Sequence, residues 1–166
     1  MDKSLDKKDY RTDLLEAKQG TAFVFNGLNE QIKPEGKDCK KVHIEFGSAT
    51  ATLDYDEATN TYFKKINGKK QMDSVAGEQL AFTNVFVLET DISIRNTGVG
   101  HKQIDWKGGS DSVGYYISNG AVEEITWKKS SESDYLKFYN KDGEELSINR
   151  GKSYIAFNYA DQATFE

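Results

Sequence analysis

YYISNGAVEEITWKK, residues 115–129, reads as two strands folded about Asn119-Gly120. An Asn-Gly pair accepts the positive φ angles that a two-residue hairpin turn demands. With the turn there, Ser118 opposes Ala121, Ile117 opposes Val122 and Tyr116 opposes Glu123. Regular pairing then puts Tyr116, Ile125 and Trp127 on one face, and Tyr115, Ile117 and Val122 on the other. A half-buried antiparallel pair should be apolar on one side only. Two apolar faces leave two readings: a central hairpin with core on both sides, or an aromatic platform held out to a ligand. A bulge at Glu123-Glu124 would move Trp127 to the opposite face.

Outward from this hairpin the grammar stays β. KVHIEF (41–46) alternates Val42, Ile44 and Phe46 with His43 and Glu45, the period of a half-buried strand. Segments 50–55 and 61–66 flank DEATN, and further strands are expected at 84–91, 103–106, 136–139, 145–148 and 153–157. Asn67-Gly68 and Asp142-Gly143 supply more turns, and the single proline, Pro34, stands in the polar stretch 29–41, where it interrupts no ladder. One helix is expected over 10–19, with Leu14, Leu15 and Lys18 a turn apart, Thr12 or Asp13 as cap and Gly20 as stop. The fold expected is α+β and β-dominated. It is a strongly twisted antiparallel sheet or two packed sheets built from hairpins, with one short N-terminal helix. Residues 1–38 read as a weakly attached helix, short strand and connecting segment, and residues 39–166 as the β-rich domain.

Bulk properties narrow the partners. The net charge of −5 argues against a general nucleic-acid binder, which would show a basic face. Lys64, Lys65, Lys69 and Lys70 read as the solvated side of a hairpin. Cys39 is the single cysteine, so no internal disulfide forms and the redox compartment stays open. The opening MDKSLDKKDY lacks the apolar stretch of a signal peptide, and no window approaches the ~20 apolar residues of a membrane span. The chain as given is expected to be soluble.

Chemistry is sparse. His43 reads as an ordinary cross-strand residue and His101 as a loop residue. GKS at 151–153 lacks the upstream glycine and following helix of a phosphate loop. FYNKDG (138–143) would start a calcium loop on Phe138 and end it on Asn149, without the main carboxylates. The acid pairs Asp54/Asp56, Glu123/Glu124 and Glu144/Glu145 read as solvated strand charges. No residue set qualifies as catalytic, cofactor-binding or metal-binding. Asp73 opens a long loop after a hairpin, where its oxygens can accept backbone N–H groups or face a ligand.

From LDYDEATNTYFKKINGKKQMDSVAGEQLAFTNVFVLET (53–90) onward, an ordered set of features carries a resemblance. They are Tyr55-Asp56, Tyr62, Asn67-Gly68-Lys69, Asp73, Gly77-Glu78-Gln79-Leu80 and Asn84-Val85, then GYYISNGAVEEITWKK and FYNKDGEELSINRGKSYIAF. Together they resemble the C-terminal domain of the YerB-like lipoprotein family of Gram-positive bacteria, a domain of unknown function. Residues 9–46 resemble more loosely the segment joining the family's two domains. The chain departs from the pattern at Gln71-Met72-Asp73, where His-x-Asp is expected, and at Ser110-Asp111-Ser112, in place of Gly-x-Gly. The glycine losses suggest a looser turn over 108–113, and the last hairpin has Arg150-Gly151 and Tyr154 for Pro-Gly and Trp.

The resemblance implies export, an upstream domain and a lipid anchor that this chain lacks; it brings no activity. The function expected is therefore a non-catalytic binding or assembly module of an extracytoplasmic, envelope-associated lipoprotein. Ligand-binding candidates are Asp73, Tyr116 and Trp127, the partners being cell-wall glycan, wall peptide or another envelope protein, with membrane contact only through the upstream anchor. One alternative is a cell-wall hydrolase, or its regulatory subunit, using a carboxylate such as Asp73. The other is a structural domain packed on an upstream domain, marked by an apolar patch beside residues 1–38.

Overall fold

The computed structural model describes residues 22–96, 98–131 and 134–166, and the helix expected over 10–19 lies outside them. Among the described residues the secondary structure is all β, and no helix is long and apolar enough to cross a membrane. Val24–Phe25 (β1) and Lys37–Asp38 (β2) are short strands. Lys41–Glu45 (β3), Thr50–Asp56 (β4), Thr61–Ile66 (β5), Lys69–Lys70 (β6) and Ala81–Phe82 (β7) follow. Next come Asn84–Glu89 (β8), Ile92–Ile94 (β9), Lys102–Ile104 (β10), Gly108–Ser118 (β11) and Ala121–Lys128 (β12). The chain closes with Lys137–Tyr139 (β13), Ser147–Ile148 (β14), Ser153–Asn158 (β15) and Ala163–Phe165 (β16).

Two sheets pack on one another. The first runs β16-β3-β4-β5-β6, with β7 added to β5; the second runs β13-β12-β11-β8-β15, with β2 added to β12. Asn67-Gly68 and Asn119-Gly120 all take positive φ, which fixes the turns between β5 and β6 and between β11 and β12. Two packed, largely antiparallel sheets are as expected; two pairings depart from that pattern, β15 running parallel to β8 and β1 parallel to β14. Parallel neighbours need a long crossover, and everything from β9 to β14 lies between β8 and β15.

Val42, Ile44, Leu53 and Tyr62 of the first sheet meet Val85, Val87, Ile117 and Val122 of the second in one buried cluster. A second cluster lies on the far face of the second sheet, where Phe86, Leu88, Tyr116, Ile125, Trp127, Phe138 and Ile148 are covered by Phe23, Leu136 and Leu146. The second sheet is thus buried on both faces, and VFVL, the middle of β8, is accordingly a continuous apolar run. Rings stack across its far face, Phe86 on Phe138 at 4.2 Å and on Tyr116 at 5.0 Å between centroids. The hairpin of residues 115–129 is two-faced because it lies centrally, between two layers of core.

Its register is regular through Glu123-Glu124, and the irregularity falls instead at residues 109–112, which face Trp127 alone. Trp127 lies across two glycines. A Cβ on Gly114 would stand 3.2 Å from its ring, and one on Gly108 would stand 2.4 Å from it. The indole N–H donates to the carbonyl of Val113 at 3.1 Å.

Residues 22–38 bond to this body: β2 pairs with β12, and the Asn26 N–H donates to the Ile148 carbonyl at 2.9 Å. Lys64 departs from the solvated role expected of the lysine cluster. It shares an inward row with Tyr62, is buried, and its ammonium stands 4.0 Å from the centroid of the Tyr154 ring. Burial lowers its pKa. Cys39 is enclosed between the sheets, and burial pushes its thiol up to about 11. His43 pairs across strands with Thr52, and His101 is an exposed loop residue.

Candidate functional site

The three residues singled out from sequence do not border one surface. Asp73 is the first residue of a closed turn. Its Oδ1 accepts the N–H groups of Val75 at 2.9 Å and Ala76 at 3.0 Å, while its own N–H donates to Glu78. These donors, Ala76 foremost, hold its carboxyl below the usual carboxylate range. Among the described residues, the shallow cavity beside that turn is lined by a single carboxylate, Glu78. Trp127 is 1 % exposed, with its ring edge-on to Phe157 at 5.5 Å, so it offers no free face for stacking. Tyr116 is 3 % exposed, and its ring is stacked on Phe86.

Tyr116 nevertheless reaches a cleft, of about 270 Å³, over the far face of the second sheet. Tyr116 and its cross-strand neighbour Glu123 form the floor. Ile32, Lys33, Pro34 and Glu35 make one wall, and the hairpin from Asn140 to Ser147 makes the other. The first wall is fixed from below by a buried amide network. The Asn149 side chain donates to the Ile32 carbonyl at 2.8 Å and to Ser118 Oγ at 3.0 Å. Its Oδ1 accepts the Ile32 N–H and the Asn26 side chain, both at 2.8 Å. The Tyr116 hydroxyl donates to Asn84 Oδ1 at 2.9 Å and accepts the Asn149 N–H at 3.0 Å. Every partner in this chain is supplied from within the protein, which makes the network rigid rather than costly.

Gly36 brings that wall down onto the sheet. A Cβ there would sit 1.9 Å from the Val122 carbonyl oxygen, so only glycine permits the approach. The approach lets the Glu35 N–H donate to the Glu123 carboxylate at 2.8 Å. The opposite wall is shaped by Asn140, whose side-chain oxygen accepts the N–H groups of Asp142 and Glu144; this is the turn once weighed as a calcium loop. Lys141 bends toward Glu35 at 3.8 Å between ammonium and carboxylate.

The lining is acidic: Glu35, Glu123, Glu124, Asp142 and Glu144 against Lys33 and Lys141. Lys33 is taken up by Asp38 at 2.6 Å. Burial raises the pKa of Glu123, opposed by the hydrogen bond from the Glu35 N–H. An acceptor-rich cleft with apolar Ile32, Pro34 and Leu146 on its walls suits a ligand that offers amines or hydroxyls. Sequence reading had set Glu123 aside as a solvated charge. The signal that finds it is its place opposite Tyr116, on the face that also carries Ile125 and Trp127. Asn149 carried no comparable signal.

The family model described as Protein of unknown function (DUF3048) C-terminal domain matches residues 42–155. The crystal structure of YerB protein from Bacillus subtilis is similar to this chain, with a TM-score of 0.68 and 24 % sequence identity, a likeness of fold. The match covers 83 % of this chain and 47 % of that one, so the chain spans about half the length of YerB. No curated protein matches.

Proposed function

This chain belongs to the family described as Protein of unknown function (DUF3048) C-terminal domain and is a YerB-like domain; from that premise we propose that it is a non-catalytic binding module of a longer, exported, lipid-anchored envelope protein, with its ligand seated over Tyr116 and Glu123. The observation that carries this reading is the cleft: a half-buried carboxylate on a rigid sheet, between walls fixed by amide hydrogen bonds. Preorganised acceptors of this kind lower the ordering cost of binding. Cell-wall glycan or amine-bearing wall peptide fits the acceptor-rich lining. Asp73, its Oδ1 engaged by its own loop, serves the turn in this reading and not a reaction.

Amide NMR titration with soluble wall glycan–peptide fragments tests it. Shifts are expected at Glu35, Glu123 and Lys141, with affinity falling about tenfold or more in Glu123→Gln, since hydrogen bonds to charged groups are worth roughly 1.5–3 kcal/mol. No shift at millimolar fragment, or shifts confined to other surfaces, overturns the assignment.

A second reading has an observation of its own. Val24, Phe25, Leu28 and Ile32 are exposed along one stretch beside the first wall of the cleft. An apolar strip of this kind favours packing against another domain of a longer protein.

A further inference from the structure

Among the described residues β9 and β10 pair only with one another, as a ribbon between the end of β8 and the start of β11. The register sets Ile92 opposite Ile104 and Ile94 opposite Lys102, so the three isoleucines share one face, while Ser93 and Gln103 take the other. A two-stranded ribbon normally buries such a face. Here Ile94 is 71 % exposed, Ile104 39 %, and Val99, in the connecting loop, 67 %.

The charges along this ribbon have one sign, Lys102 on the isoleucine face and Arg95, by alternation, on the face of Ser93 and Gln103. From Ile92 to Ile104 the chain holds Arg95 and Lys102 and no carboxylate, within a protein whose net charge is −5. The next acids along the chain, Asp91 and Asp105, lie at the base, joined by the Asp105 N–H to the Asp91 carbonyl at 2.8 Å. The base is anchored: the Tyr159 hydroxyl donates to the Ile92 carbonyl at 2.9 Å, and Lys129 stands over the Trp106 ring at 5.2 Å.

We infer that this ribbon docks the domain on an anionic lipid surface, with Ile94 and Val99 entering the headgroup boundary and Arg95 and Lys102 meeting lipid phosphates. Strands of three residues reach about 10 Å, which matches the roughly 5–10 Å depth of interfacial insertion. Charge selects lipid over a second copy of the chain. A twofold contact through this ribbon would bring together the basic side chains of two copies, whereas anionic headgroups complement both Arg95 and Lys102. The inference is independent of the cleft, which lies toward the opposite end of β11.

Cosedimentation of the intact chain with vesicles of phosphatidylglycerol and phosphatidylcholine, or of phosphatidylcholine alone, reads it directly. Binding is expected only to the anionic vesicles, weakening as salt rises. Each basic side chain near such a surface is worth about fivefold in partitioning, so Arg95→Gln with Lys102→Gln should weaken binding about 25-fold. Ile94→Asp with Val99→Asp should abolish it, with circular dichroism unchanged because both positions are exposed. Absence of vesicle binding, or equal binding by the variants, overturns the inference. A lipid-free dimer that Ile94→Asp dissolves overturns it in favour of self-association.

Discussion

Replacing Trp127 by alanine tests whether the far face of the second sheet is a core layer. The ring is 1 % exposed, sits edge-on to Phe157 and donates its N–H to the Val113 carbonyl. Truncating a buried tryptophan costs about 3–5 kcal/mol through lost transfer energy and the cavity left behind. Loss of the indole hydrogen bond to the Val113 carbonyl adds roughly 1 kcal/mol. Against a total stability on the order of 5–15 kcal/mol, the variant should lose about a quarter or more. Trp127→Phe keeps the apolar contact and should cost about 1–2 kcal/mol, since only the hydrogen bond and part of the volume go. Gly114→Ala perturbs the same contact from the other side. Its Cβ would come within 2.9 Å of Leu88 Cδ2 and 3.2 Å of Trp127 Cδ1, an overpacking of about 1–3 kcal/mol. In the double variant the tryptophan half of that clash vanishes, so the two costs should not add. Urea unfolding followed by far-UV circular dichroism gives all four values. A loss below about 1 kcal/mol for Trp127→Ala, with the m-value unchanged, would mean that the ring is not enclosed, and the platform reading of the hairpin would return.

Asn149→Leu should detach the first wall of the cleft, because it orphans the Ile32 amide and carbonyl and the Asn26 side chain. A cost of roughly 2–4 kcal/mol is expected, with faster hydrogen exchange at Ile32; unchanged exchange there would show that the wall is held by other contacts. For Asp73 the sign is fixed by its lowered folded-state pKa. Its contribution is complete above the unfolded value, near 3.9, and is lost as pH falls through the lower folded value. A carboxyl NMR titration should place its midpoint below 3.8, and a midpoint at or above that refutes the turn as its environment.

The hairpin was legible because a two-residue Asn-Gly turn fixes register, and register fixes faces. Tyr116, Ile125 and Trp127 stand together on one face, with Tyr115, Ile117 and Val122 on the other, as alternation requires. What alternation does not carry is which strand lies beside which. The parallel seat of β15 on β8 is a non-local pairing, and nothing within SYIAFN distinguishes a parallel neighbour from an antiparallel one. Lys64 was misread for a related reason. Its row is legible from Tyr62, but a lysine in that row reads as solvated, and the Tyr154 ring that accommodates the ammonium comes from the other sheet. The cleft was less legible still. Its parts come from residues 32–35, from Tyr116 and Glu123, and from residues 140–147, none of which forms a local motif.

Burial of both faces has a consequence for where function can reside. A sheet with no free face can meet a partner only at its edges, at its strand ends or through the segments that cover it. The two features assigned here obey that restriction at different places. The cleft uses covering segments near the turn end of the β11–β12 hairpin, where Tyr116 faces Glu123. The ribbon leaves β8 and re-enters β11 at the other end, beyond the pairing of Gly114 with Leu88. A cleft ligand and a lipid surface would therefore occupy separate ends of the same strands, and neither need exclude the other. Glu123→Gln should leave vesicle binding at the parental level, and Arg95→Gln with Lys102→Gln should leave the fragment titration intact. Loss of both activities in either variant would mean a single shared surface, which a rigid sheet lying between the two sites does not allow.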